Sequence, residues 1–187
     1  MPKTNTTQYI VLGLLDHEAL SGYDIKKRID MMISHFWDAG YAQIYPTLRQ
    51  LEADGLIVKQ SSESSKGPEK NIYAITEPGK ETLREWLAIP ETKEYTRYEI
   101  LLKLFFGGEL KTEDNIRRIG LFKERHQRNV DLIEMFKQNL QPVLAENEDH
   151  LYYYLTVLFG EEVYGAYLRW AEKAETLLRE HEERKRS

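Results

Sequence analysis

The stretch Gln43-Ile44-Tyr45-Pro46-Thr47-Leu48-Arg49-Gln50-Leu51-Glu52-Ala53-Asp54-Gly55-Leu56 decides the fold of this chain. Ile44, Leu48 and Leu51 recur at spacings of four and three, the rhythm of one apolar helix stripe. Gly55 follows the last helical positions, where a left-handed C-terminal cap favours glycine. Upstream, Asp38-Ala39-Gly40 breaks the pattern, so the helix is expected from about Tyr41 to Ala53. Pro46 lacks an N–H and has a fixed φ, so it is placed in the first turns, where it stiffens the leading end. Tyr41, Gln43, Tyr45 and Arg49 remain off the buried stripe, and they offer hydroxyls, an amide and a guanidinium.

Before this helix, the spacing predicts two more. Gln8 to Leu15 carries a dense apolar stripe that stops at Asp16-His17-Glu18. Ser21 can cap a second helix in which Tyr23, Ile25, Ile29 and Met32 recur near helical spacing. After it, Leu56-Ile57-Val58 and Ile72-Tyr73-Ala74-Ile75 are rich in β-branched and aromatic residues and read as a hairpin. The polar run from Ser61 to Lys70 forms its long tip. Thr76 then caps a fourth helix with Pro78 in its first turn.

Helix, helix, helix, hairpin, helix is the order of a winged helix-turn-helix. In that arrangement the third helix enters the major groove, where base edges carry a full donor and acceptor code. Gln43 can offer its amide to an adenine edge, and Tyr41 and Tyr45 can reach phosphates. Arg49 can bind phosphate or guanine in bidentate fashion. Pro46 belongs to the same face. Lys26, Lys27 and Arg28 form a basic cluster on the second helix, and Lys66 and Lys70 bracket the wing. Tyr45 can equally be a core aromatic, and a basic cluster is in most proteins only a solvated face.

The charge balance does not advertise nucleic-acid binding. The 187 residues carry a formal net charge of −5. Residues 1–90 hold 10 Lys and Arg against 12 Asp and Glu, and the remainder holds 16 against 19. Any contact with DNA must come from a local patch, because the global field gives no attraction. The chain has no cysteine, which excludes disulfides, thiolate metal sites and a cysteine nucleophile. The histidines at 17, 35, 126, 150 and 181 show no metal-ligand spacing, and no glycine-rich phosphate loop is present. An enzyme, a metal and a cofactor are therefore not expected. No secretory signal and no run of about 20 apolar residues are found, so a cytoplasmic protein without a membrane partner is expected.

Ala88-Ile89-Pro90-Glu91 is the natural boundary between a DNA-binding domain, residues 1–90, and a helical domain, residues 91–187. The second begins with a segment from Thr96 to Phe106 that stops at Gly107-Gly108. Thr112 is expected to cap a long helix in which Ile116, Ile119, Phe122, His126, Val130, Ile133, Phe136 and Leu140 follow at spacings of three and four. Such a helix suits lengthwise packing on a partner. After Gln141-Pro142, a last helix from about Glu148 to Arg184 places Leu151, Leu155, Leu158, Leu168 and Leu178 on its inner side. Its aromatics, Tyr152 to Tyr154, Phe159, Tyr164, Tyr167 and Trp170, suit either a pocket for a small planar ligand or a dimer interface, where aromatics are enriched. Trp37 and Trp86 carry the same two readings and can simply be core anchors.

Three segments also resemble the PadR family of transcriptional regulators. They are Leu12-Gly13-Leu14-Leu15, Ser21-Gly22-Tyr23-Asp24-Ile25 and the run from Gln43 to Leu56. Tyr73-Ala74-Ile75-Thr76-Glu77-Pro78-Gly79 resembles that family's strand-to-helix junction. The helical remainder is similar to the longer members, whose C-terminal domain dimerises, and Tyr98 to Phe106 sits at a comparable segment. The resemblance implies a homodimer on an inverted-repeat operator, usually a repressor, sometimes relieved by a small ligand. Glu69 departs from the more basic wings of many relatives. Two-fold symmetry would place half-sites about one helical turn apart, roughly 34–36 Å or a multiple of it. The competing readings are a winged-helix module for protein partners and a ligand-independent activator of double-stranded DNA targets.

Overall fold

Val11, Leu12 and Leu15 line the buried side of α1 (Thr7–His17) in the computed structural model, which describes residues 6–60, 71–94 and 97–186. The chain divides into two compact units, Met1–Glu94 and Tyr95–Ser187. In the first unit, α1 is followed by β1 (Leu20–Ser21), α2 (Gly22–Arg28), α3 (Tyr41–Ala53), β2 (Ile57–Gln60), β3 (Ile72–Ile75) and α4 (Glu77–Leu87). Ile25 of α2, Ile29 directly after it, and Ile44, Leu48 and Leu51 of α3 are buried against the α1 stripe together with Ile57, Tyr73 and Leu83. Trp86 closes the edge of this core, its ring stacked on Tyr9 at 4.4 Å.

The junctions follow from local hydrogen bonding. The Ser21 hydroxyl accepts the Asp24 N–H at 3.2 Å and donates to the Asp24 carboxylate at 2.5 Å, which fixes the start of α2. Gly55 has φ of 72°, the left-handed conformation that ends α3. Thr76 accepts the Gly79 N–H at 3.2 Å and donates to the Gly55 carbonyl at 2.8 Å, tying the end of α3 to the start of α4. A side chain at Gly79 would place its Cβ 2.1 Å from the Leu56 carbonyl oxygen, so only glycine lets α4 approach β2 this closely.

Several expectations need correction here. The expected hairpin forms, with Ile57 opposite Ile75, but β1 adds a third antiparallel strand in the order β1-β3-β2, with Leu20 opposite Tyr73. Two residues are too few to show alternation, so β1 left no periodic signal. The second helix does not run evenly: α2 passes at Ile29–Ile33 into a single π-helical turn. Tyr23 leaves the apolar stripe and is 56% exposed. The polar run with Lys66 and Lys70 lies outside the described residues.

The second unit contains α5 (Glu99–Phe105), α6 (Thr112–Leu140) and α7 (Glu148–Arg186). Short 3₁₀ turns at Gly107–Glu109 and Gln141–Val143 join them. All eight positions of the expected α6 stripe, from Ile116 to Leu140, are buried or half-buried. Ile119 and Phe122 meet Ala171 of α7 in a small core, with Tyr167, Trp170 and Leu178 around it. Lys123–Glu172 at 3.0 Å and Lys137–Glu161 at 2.6 Å bridge the two long helices.

Three further readings also change, two at helix starts and one on the buried face of α7. The first helix of this unit starts at Glu99 rather than Thr96, a residue outside the described ones. Thr112 does not cap α6; its hydroxyl hydrogen-bonds Glu182 near the end of α7. Leu151 and Leu155 are not on an inner side, being 48% and 51% exposed, and Val157, Gly160 and Ala171 take the buried positions instead.

Candidate nucleic-acid interface

The outward face of α3 is set by what its inward face must bury. Ile44, Thr47, Leu48 and Leu51 are buried, which leaves Tyr41, Gln43, Tyr45, Pro46 and Arg49 exposed along the opposite side. Tyr41 and Tyr45 are each 44% exposed, with ring centroids 6.0 Å apart and nearly parallel planes. Tyr45 is therefore not a core aromatic. Its lower edge rests on the first turn of α2, where a Cβ at Gly22 would sit 2.7 Å from the Tyr45 ring. Glycine at 22 is what lets the Tyr45 hydroxyl be presented at this angle.

Pro46 is the sixth residue of α3 and lies in its second turn. Its ring leaves the Ala42 carbonyl without an i→i−4 donor from this position. Next to it, the Thr47 hydroxyl donates to the Gln43 carbonyl at 2.8 Å. Gln43 has a second task that the sequence did not advertise. Its Oε1 accepts the Gly40 N–H at 3.3 Å, returning a side-chain cap to the start of α3. The first turn of α3 has no acidic side chain, so its free N–H groups face outward without a competing anion of their own.

The basic cluster is less available than its composition suggests. Lys26 bonds Asp30 one turn along and reaches Asp38 at 3.4 Å, in the segment leading to α3. The Asp30 carboxylate holds the Lys26 ammonium above its ordinary range. Arg28 is paired with Glu18. Lys27 is exposed and, among the described residues, has no ion pair, as has Arg49. Tyr73 of β3 lies beneath this face; burial, then the Glu52 carboxylate, push its hydroxyl up, so it stays protonated. Lys26 is thereby a brace between α2 and the approach to α3, and Lys27 and Arg49 are the open cations.

The aromatic residues of α7 part into two sets. Tyr164, Tyr167 and Trp170 face α6, where Phe122 lies 5.4 Å from Trp170 and His126 lies 4.8 Å from Tyr167. The Tyr98 and Tyr167 hydroxyls are 2.6 Å apart. Burial, then that hydrogen bond, push the Tyr167 hydroxyl up. Tyr152 and Phe159 face outward, 63% and 65% exposed.

Residues 11–85 match the model of the Transcriptional regulator PadR-like family, and residues 96–179 match that of the Virulence activator alpha C-terminal domain. The Negative transcriptional regulator PadR of Bacillus subtilis is 30% identical over 175 residues, covering 88% of this chain and 93% of the relative. The chain belongs to the PadR-like family of transcriptional regulators. The likeness extends to solved structures. B. subtilis PadR in complex with operator DNA superposes with a TM-score of 0.83 at 26% identity, covering 95% of this chain and 99% of that one. A PadR-like regulator from Bacillus cereus gives 0.78 at 26% identity, covering 93% and 98%. B. subtilis PadR in complex with p-coumaric acid gives 0.74 at 25% identity, covering 91% and 97%. Among the described residues, no helix is long and apolar enough to cross a membrane.

Proposed function

We propose that this PadR-like regulator is a homodimer that binds an inverted-repeat operator through α3 of each protomer, acts as a repressor and is released by a small ligand. The observation that carries the reading is the outward face of α3, where Tyr41, Tyr45 and Arg49 stand clear of the core. Arg49 reads a base edge or clamps a phosphate, and Tyr41 and Tyr45 fix register through phosphate contacts. Lys27 adds a phosphate contact from α2, and Lys66 and Lys70 add two from the wing. The repressor role is supported by the negative regulator of B. subtilis, and the ligand by the p-coumaric acid complex of that protein.

The second copy is assigned to the outward stripe of α7. Leu151, Tyr152, Leu155 and Phe159 recur at spacings that align them on one side, each about half exposed or more. An apolar strip of that kind marks a protein interface.

The test is a fluorescence-anisotropy titration with DNA from upstream of the protein's own reading frame, repeated across a salt series. Affinity should fall steeply with salt, because neutralised phosphates release counterions. Arg49→Ala should cost about 1–3 kcal/mol and relax discrimination between operator and scrambled DNA. Lys27→Ala should weaken both DNAs alike and lower the salt slope. Binding that ignores salt, or none at any salt, would overturn the DNA reading and leave α3 as a surface for a protein partner.

A further inference from the structure

Gln43 is exposed on α3, yet its side-chain amide is not free to turn. Gly40, the residue before α3, has no side chain with which to cap the helix, and Gln43 returns the bond instead. The two residues are tied twice. The Gly40 N–H donates to the Gln43 Oε1 at 3.3 Å, and the Gln43 N–H donates to the Gly40 carbonyl at 2.9 Å. Because a backbone N–H can only donate, the amide atom turned toward it is the oxygen. The nitrogen then points away, and among the described residues Nε2 has no hydrogen-bond partner. Core contacts hold the frame on both sides of the cap, with Ala39 1% exposed and Ile44 fully buried. The Thr47 hydroxyl, donating to the Gln43 carbonyl at 2.8 Å, steadies the same turn from its far end.

An amide held in this way reads a base edge differently from a free one. An adenine edge presents the N7 acceptor beside the N6 donor, and a bidentate amide contact uses oxygen and nitrogen together. In Gln43 the oxygen is engaged by Gly40, so only N–H donors are left for the groove. Taking up adenine in the bidentate manner would break the cap and leave the Gly40 N–H without its acceptor. A guanine edge presents two acceptors, N7 and O6, and no donor beside them, which matches an amide that only donates. Capping alone would be served as well by glutamate, the acidic partner in a capping box, whose charge also suits the positive end of a helix. The first turn of α3 has no acidic side chain, and the amide at 43 adds the outward donor that glutamate lacks.

We propose that Gln43 is a specificity-determining residue that selects guanine, and not adenine, by donating from Nε2 while its Oε1 stays on Gly40. The proposal rests on the reading of α3 as the DNA-binding helix. It is tested with the full chain as wild type, Gln43→Ala and Gln43→Glu. Each protein selects duplexes from a pool with randomised positions, and the enriched sequences are titrated by fluorescence anisotropy with single base-pair changes. In the wild-type sequences one position per half-site should require guanine, and exchanging that G·C for A·T should weaken binding on the order of tenfold. Gln43→Ala should shrink that penalty to about twofold or less and leave the preferences at other positions in place. Gln43→Glu keeps one oxygen on Gly40 and turns the other outward, so the same position should change to cytosine, whose N4 is a donor. Its thermal midpoint should equal or exceed that of wild type, because the cap is retained. Any base other than guanine at the position that responds to residue 43 would overturn the proposal, as would guanine retained there by Gln43→Glu. Identical preferences in all three proteins would also overturn it, and would leave α3 as the DNA-binding helix. Failure of the wild-type protein to enrich any sequence would overturn that reading as well.

Discussion

Leu48 lies in the interior of α3 and Phe159 in the first third of α7, and their surroundings could hardly differ more. Leu48 is fully buried among side chains of α1, α2 and the sheet, all supplied by its own unit. Phe159 is 65% exposed on α7, in line with Leu151, Tyr152 and Leu155. The first unit satisfies most of its apolar residues internally; its exposed ones, such as Met31 and Phe36 around the π turn, are scattered. The second unit has a thin seam between α6 and α7 and leaves a continuous strip outside it. A short chain segment wound into four helices and a sheet can close a core. Two long helices side by side cannot, because each turns a second face to the outside. The first unit is complete in itself and presents α3; the second turns an apolar strip outward, which the homodimer proposed above would cover.

The largest expected effect breaks that second half of the comparison. Leu155→Asp combined with Phe159→Asp should convert the dimer to a monomer in sedimentation equilibrium. Operator affinity should fall by at least about 100-fold, since two half-sites would no longer be bound as one linked event. A double variant that stays dimeric and keeps its DNA affinity would show that α7 meets its partner elsewhere. Leu48→Ala comes next and tests the other half. Removing a fully buried leucine should cost about 2–5 kcal/mol, read by urea denaturation. That loss should be the same at every protein concentration, because it arises inside one unit. Melting of the second unit should rise with concentration in the wild-type chain, and the Leu155→Asp, Phe159→Asp variant should lose that dependence. A concentration-dependent cost for Leu48→Ala would blur the distinction between the units.

How much of this was legible in the sequence tracks the same divide. The run from Gln43 to Leu56 carried its period, its break and its cap in adjacent residues, so α3 and its buried stripe could be read directly. The Gly55 cap and the Thr76 cap on Gly79 are local and were equally plain, whereas the Thr76 bond to the Gly55 carbonyl, 21 residues away, was not. β1 was not, because its two residues acquire strand character only by pairing with Ile72 and Tyr73 across the sheet. The restraint on Lys26 was hidden for a related reason: Asp38 reaches it across a turn whose path depends on the π segment. Gln43 was read as a base-reading amide, and its cap on Gly40 appears only once the helix start is fixed in space. In the second unit the α6 stripe was legible along one helix, but the facing side of α7 was not. A long helix rich in Leu, Tyr and Phe all round offers several faces, and only packing chooses among them.

The smallest predicted effect sharpens the contrast from within the α6–α7 seam. His126 is enclosed by Phe122 at 4.2 Å, Tyr167 at 4.8 Å and Tyr164, stacked at 5.6 Å, and Asn129 approaches its Nδ1 at 3.3 Å. Burial, then the neighbouring Arg125 charge, holds its pKa below the ordinary histidine value of 6.5. In the unfolded chain His126 takes a proton near that ordinary value, whereas in the folded chain it resists. The unfolded state therefore binds more protons as pH falls, and stability present above about pH 6.5 is lost as pH drops towards the depressed folded pKa. Wild-type Tm should fall between about pH 7 and about pH 5.5, and His126→Gln should fall less over the same window. The difference between the two profiles isolates this residue from every other titrating group. Because His126 belongs to the second unit, the divergence should appear in the transition that depends on concentration and not in the one that Leu48→Ala lowers. Parallel profiles would mean that the seam opens enough to solvate the imidazole, and that the second unit holds its long helices less tightly than its ring contacts imply.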